Sequence, residues 1–113
     1  MPVKLSIDTE IAEQAVVVHV EGDLDVFTAP RLKEALASAL GGGGLVVLDL
    51  SQVHFVDSTA LGVMAGALEE AKAAAGELRL VADDPFVLKV FHITGFDGLF
   101  SIFPRVAEAV SAD

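Results

Sequence analysis

The segment Leu45-Val46-Val47-Leu48-Asp49-Leu50-Ser51-Gln52-Val53-His54-Phe55-Val56-Asp57-Ser58-Thr59-Ala60-Leu61-Gly62-Val63-Met64 carries the chain from a strand into a helix. Val46 to Leu50 is a nearly unbroken apolar run, the pattern of a strand covered on both faces. The alanine- and leucine-rich stretch that follows predicts a helix from about Ser58 to Ala75, closed by Gly76. Ser58 falls where a helix N-cap belongs, with Thr59 at the first helical position. One reading of Ser58 is a plain cap, worth about 1 kcal/mol. The other is a phosphoacceptor, because an exposed hydroxyl at the positive end of a helix dipole can carry the added charge of about −1.5 to −2 without breaking the fold.

Upstream, Val3, Leu5 and Ile7 alternate with Lys4, Ser6 and Asp8, which predicts a half-exposed edge strand. Ala15–Glu21 is a second strand with Val16, Val18 and Val20 on one face, and the Asp8–Gln14 connection suits an antiparallel hairpin. The loop Gly22–Phe27 leads to Thr28 as a cap, Pro30 in the first turn, and Leu32, Ala35, Leu36, Ala39 and Leu40 at helical spacing, ended by Gly41–Gly44. Downstream, Leu78, Leu80 and Ala82 mark a strand, Pro85 opens a short helix through about Phe91, and Gly95 and Gly98 mark a turn. A last short strand is expected within Leu99–Phe103, and Pro104 opens a terminal helix through about Ser111. The class is α/β: a mixed, mostly parallel sheet of four to five strands, an antiparallel N-terminal edge strand and about four helices, in one domain over residues 1–113.

Composition narrows the function. The chain of 113 residues is 53% hydrophobic, enough for one core and too much for disorder. Seven basic residues against 17 acidic give a net charge of −10, which argues against nucleic acid and against anionic membrane as partners. The absence of cysteine removes disulfides, thiolate catalysis and cysteine metal sites. The start lacks a signal-peptide core and no apolar run reaches membrane-spanning length, so a cytoplasmic domain is expected.

Several constellations invite chemistry. Asp23, Asp25, Asp49 and Asp57 are oxygen ligands that could hold Mg²⁺, but no lysine or arginine stands near to steady a transferring phosphate. Asp23 and Asp25 read either as a solvated Asx-type turn or with Asp23 hydrogen-bonded near Ser58, with Asp49 drawn into the same region. His19, His54 and His92 are scattered, without the i, i+4 spacing of metal ligands. A His54–Ser58 nucleophile lacks a glycine-flanked turn, and Gly41–Gly44 is followed by no Lys-Ser or Lys-Thr. The expectation is a non-enzyme without metal or cofactor. Phe27, Met64 and Phe91–Phe96 read as core, or as an apolar patch for a protein partner around Ser58.

Three pieces of the chain, Val20-Glu21-Gly22-Asp23-Leu24-Asp25, Leu48-Asp49-Leu50-Ser51-Gln52-Val53 and Phe55-Val56-Asp57-Ser58-Thr59-Ala60-Leu61-Gly62, resemble the STAS domain family, in particular bacterial anti-sigma factor antagonists. The order of elements matches that family nearly end to end. The resemblance implies a protein that binds an anti-sigma factor, itself a serine kinase, and so frees a sigma factor. It implies that the kinase uses ATP to phosphorylate Ser58 and ends the binding, and that a serine/threonine phosphatase reverses this. By the same resemblance Asp23 and Asp57 support the acceptor site, and Thr59 is a second hydroxyl. The implied partner surface comprises Asp23, Asp25, Phe27, Thr28, Ser58, Thr59, Leu61, Gly62 and Met64. STAS domains also serve as accessory subunits of ABC-type lipid transporters, docking on the nucleotide-binding subunit without phosphorylation. The intact Asp57-Ser58 pair together with Asp23 favours the antagonist.

Overall fold

Strand β1 (Leu5–Ala12) turns through Glu13 and Gln14 into β2 (Ala15–Leu24), and the two pair antiparallel from Leu5 opposite Gly22 to Ala12 opposite Ala15. The computed structural model describes residues 5–112, so Val3 of the expected first strand lies outside the described residues. The hairpin is tighter than the expected Asp8–Gln14 connection. Asp8 and Glu10 stay in the ladder because β1 is an edge strand whose polar side chains are exposed.

The chain continues as α1 (Ala29–Leu40), β3 (Leu45–Val56), α2 (Ser58–Ala73), β4 (Glu77–Val81), α3 (Pro85–Thr94), α4 (Phe96–Leu99), β5 (Ile102–Phe103) and α5 (Val106–Ser111). The sheet has five strands in the order β1-β2-β3-β4-β5, with every pair parallel except the first. This is the mixed α/β sheet expected, with one more helix. The extra helix is α4, where Gly95 and Gly98 suggested only a turn. Phe96 is buried there, stacked between Phe91 and Phe100 at centroid distances of 5.9 and 5.3 Å, and that packing makes the segment helical.

β3 runs well past Leu50, where the apolar run ends. Its pairing with β2 shifts register twice, between His19 and Glu21 and between Gly22 and Asp23. Across each shift β3 advances one residue more than β2, so two bulges lie in β3. Each bulge flips the inside–outside alternation, and the core set therefore reads Val46, Leu48, Leu50, Val53 and Val56 against Val16, Val18, Val20 and Leu24 of β2. Gly22 sits at the second shift with φ 127°, a conformation side chains resist.

This face of the sheet is covered by α1, α2 and α3 through Leu32, Leu36, Met64, Ala67, Val87 and Phe91. The opposite face packs Ala15, Val17, Val47 and Val81 beneath Ala109 of α5. Arg79 anchors that cover: its buried guanidinium donates from Nη1 to the carbonyls of Ala109 (2.7 Å) and Ala112 (2.9 Å). No helix among the described residues is long and apolar enough to cross a membrane.

Leu50 is fully buried where β3 passes its first bulge. Leu50→Ala should lower unfolding free energy by about 2–5 kcal/mol, seen as a lower urea midpoint at unchanged m-value.

Candidate functional site

Because β2, β3 and β4 are parallel, the connections that follow them leave the same edge of the sheet. Leu24 stands opposite Val56, and the N–H of Asp57 donates to the Leu24 carbonyl at 3.0 Å. The β2–α1 loop and the start of α2 are thereby tied together where each leaves its strand.

The loop is built by two side chains. Asp25 Oδ1 accepts from the N–H groups of Phe27 (2.9 Å) and Thr28 (3.0 Å). Thr28 Oγ1 accepts from the Asp25 N–H (2.9 Å) and donates to the Asp23 carbonyl (2.8 Å). Thr28 occupies the N-cap position of α1, but its hydroxyl is spent on the loop and caps nothing. This Asx-type turn drives Phe27 outward, leaving it 76% exposed. The Asp23 carboxylate is exposed and forms no hydrogen bond to Ser58.

At α2 the cap is Asp57. Its backbone is extended (φ −118°, ψ −179°) and its Oδ1 accepts from the Ala60 N–H at 3.0 Å. Ser58 is thus the first helical residue and Thr59 the second, each one position later than expected. The Asp57 carboxylate reaches the N3 amide and brings a full negative charge to the positive helix end, so the helix starts at Ser58. Ser58 and Thr59 are exposed, and the Ser58 hydroxyl makes no hydrogen bond among the described residues.

Three residues expected to form part of a partner surface are buried instead. Met64 is fully buried, and Leu61 and Thr28 are nearly so, because Ala60, Leu61, Met64, Ala67 and Ala71 form the stripe that α2 turns to the core. Phe91 and Phe96 are likewise core. Gly62 remains exposed, and with Thr59, Gly66 and Glu70 of α2 and Lys33 and Leu36 of α1 it lines a groove of about 340 Å³.

Asp49 is not drawn toward Ser58. Its carboxylate accepts from the Ser51 N–H (3.0 Å) and from His19 Nδ1 (2.6 Å), while the other His19 nitrogen meets Glu10. Burial opposes a charge on His19, but the hydrogen bonds and attraction of Glu10 and Asp49 outweigh it and raise the His19 pKa above its ordinary value. His54 lies in β3, and its Nδ1 is 2.7 Å from Asp84, so it does not serve Ser58. His92 pairs with Asp97 at 2.8 Å. Among the described residues no three histidine or acidic side chains gather as a metal site.

The sequence reading missed Phe55 and Phe86, whose rings stack at 5.9 Å and 11° at this edge, both partly exposed. The signal was the pair Asp84-Pro85: Asp84 caps α3 by accepting from the N–H groups of Phe86 (2.9 Å) and Val87 (3.2 Å). The His54 hydrogen bond, with those two N–H groups, holds the Asp84 carboxyl below its ordinary range.

Asp57→Ala should cost about 1 kcal/mol by urea unfolding, whereas Ser58→Ala should change stability by no more than about 0.5 kcal/mol. The His19 shift has the opposite pH sense from a paired carboxylate. Its contribution is complete below the unfolded value of about 6.5 and is lost as pH rises through the raised folded value. The stability gap between wild type and His19→Gln, followed by thermal melting, should therefore be widest near about pH 6 and shrink toward alkaline pH.

Residues 6–109 match the family model of the STAS domain. The anti-sigma-B factor antagonist of Listeria monocytogenes is 34% identical over 102 residues, covering 87% of this chain and 90% of that protein. The anti-sigma-B factor antagonist of Bacillus subtilis is 31% identical over 98 residues, with 87% and 90% covered. The crystal structure of an anti-sigma factor antagonist from Mycobacterium paratuberculosis superposes with a TM-score of 0.90 at 30% identity, over 99% of this chain and 96% of that one.

Proposed function

The chain belongs to the STAS domain family, and from that premise we propose that it is an anti-sigma factor antagonist switched by phosphorylation of Ser58. Unphosphorylated, it binds an anti-sigma factor serine kinase in the cytoplasm and frees a sigma factor. Phosphorylated, it releases the kinase until a serine/threonine phosphatase restores it. It is a substrate and ligand of those enzymes and performs no catalysis of its own.

The observation that carries this reading is the uncommitted Ser58 hydroxyl. Asp57 already caps α2, so Ser58 is exposed at the first turn with no structural duty to lose. A phosphate there meets the positive helix end, which the fold tolerates. It also joins the carboxylate of Asp57 next to it, and an interface formed against the neutral hydroxyl must then desolvate or oppose a dense negative charge. A thousandfold loss of affinity requires only about 4 kcal/mol, within reach of such a charge. Exposed Phe27 and the carboxylates of Asp23 and Asp25 belong to the loop tied to the start of α2 by the Asp57–Leu24 hydrogen bond; with exposed Gly62 they belong to the proposed docking face, while Thr59 offers a second hydroxyl one residue on.

Incubation with the cognate kinase and ATP, followed by mass spectrometry, should place one phosphate on Ser58. Its absence from both Ser58 and Thr59 would end the phosphoswitch reading. Ser58→Asp should melt like wild type yet bind the kinase at least about a hundredfold more weakly. Ser58→Ala should bind like wild type and remain unmodified.

A further inference from the structure

We propose that the stacked Phe55–Phe86 pair is a second docking anchor, one that seats an apolar surface ringed by arginine or lysine on the anti-sigma factor kinase. The inference rests on the function proposed above and adds a contact that reaches the β4–α3 connection. Phe55 stands opposite Asp23 in the β2–β3 register and precedes Ser58 by three residues. Phe86 is the second residue of α3, on the neighbouring connection. Both residues remain partly in water, at 40% and 46% exposure, although their rings stack on each other.

The pair is held rigidly. Asp84 fixes the first turn of α3 through the Phe86 and Val87 amides, and His54, next to Phe55 in β3, locks Asp84 from the other side at 2.7 Å. Exposed aromatics whose geometry is set before binding lose little entropy when a partner covers them, which is the property of an interface hot spot.

The chemistry of the partner follows from charge. The three connections at this edge, residues 22–28, 57–59 and 82–86, contain Asp23, Asp25, Asp57, Asp83 and Asp84 and neither lysine nor arginine. A face that combines aromatic rings with five carboxylates is complementary to an apolar seat rimmed by cations, and a guanidinium can also lie against an exposed ring. A second copy of this chain, with net charge −10, supplies the wrong sign.

The test uses purified anti-sigma factor serine kinases of the source organism as probes, with binding followed by surface plasmon resonance. Against the kinase that binds wild type, Phe86→Ala should raise Kd roughly tenfold or more, chiefly through faster dissociation. Asp83→Asn should slow association and flatten its salt dependence. Ile11→Ala, an exposed apolar residue at the hairpin end of the sheet, should leave Kd unchanged. Thermal melting must show Phe86→Ala folded, and Phe86→Ser supplies a second substitution at the same ring. Equal binding by wild type and both folded Phe86 variants would overturn the anchor and leave the phosphoswitch standing. Failure of every kinase to bind wild type would overturn the function proposed above, and the anchor with it. Self-association of wild type that Phe86→Ala abolishes would overturn the assignment of the pair to the kinase.

Discussion

The parallel pairing of β2 with β3 is the constraint on which the candidate surface depends. Leu24 and Val56 end their strands side by side, and the Asp57 N–H closes the last hydrogen bond to the Leu24 carbonyl. From that point one chain must turn into the Asp25–Thr28 loop and the other into α2. The two bulges in β3 let five of its side chains reach the core while the strand runs on to Val56. Without them, Val53 would point away from the core and α2 would begin from a different place. Burial beneath the helices thus sets the position of an exposed hydroxyl several residues later, a link from packing to function that passes through register alone.

The acidic residues divide the work. Asp57 and Asp84 cap α2 and α3, Asp25 folds the loop, and Asp49 pairs with His19 across the sheet. Each of these carboxylates satisfies groups that folding would otherwise strand. The edge of the sheet is therefore negative before any modification, and a partner that fits it must already be built for anions at its rim. A phosphate on Ser58, as proposed, would add to that field at a point between the Asp57 cap and the groove lined by Thr59 and Gly62.

Much of the fold was legible in the residues. The Val46–Leu50 run, the helical spacing of Leu32, Leu36 and Leu40, and the alternation of Val16, Val18 and Val20 each announce their element, because burial on one or two faces leaves a period that survives in sequence. The motif around Asp57-Ser58-Thr59 identified the family. What misled was local ambiguity. Ser58 and Asp57 are both good caps, and Met64 could be read as surface or core from its spacing.

By itself the sequence determined the element types, the mixed sheet and the family, since these follow from periodicity and from a contiguous motif. Tertiary structure alone decided that Asp57 rather than Ser58 caps α2, that Met64, Leu61 and Thr28 support the surface from below, that Arg79 pins α5, and that Phe55 meets Phe86. Each depends on where a strand leaves the sheet or on contacts between residues far apart in the chain, and no local pattern carries that information.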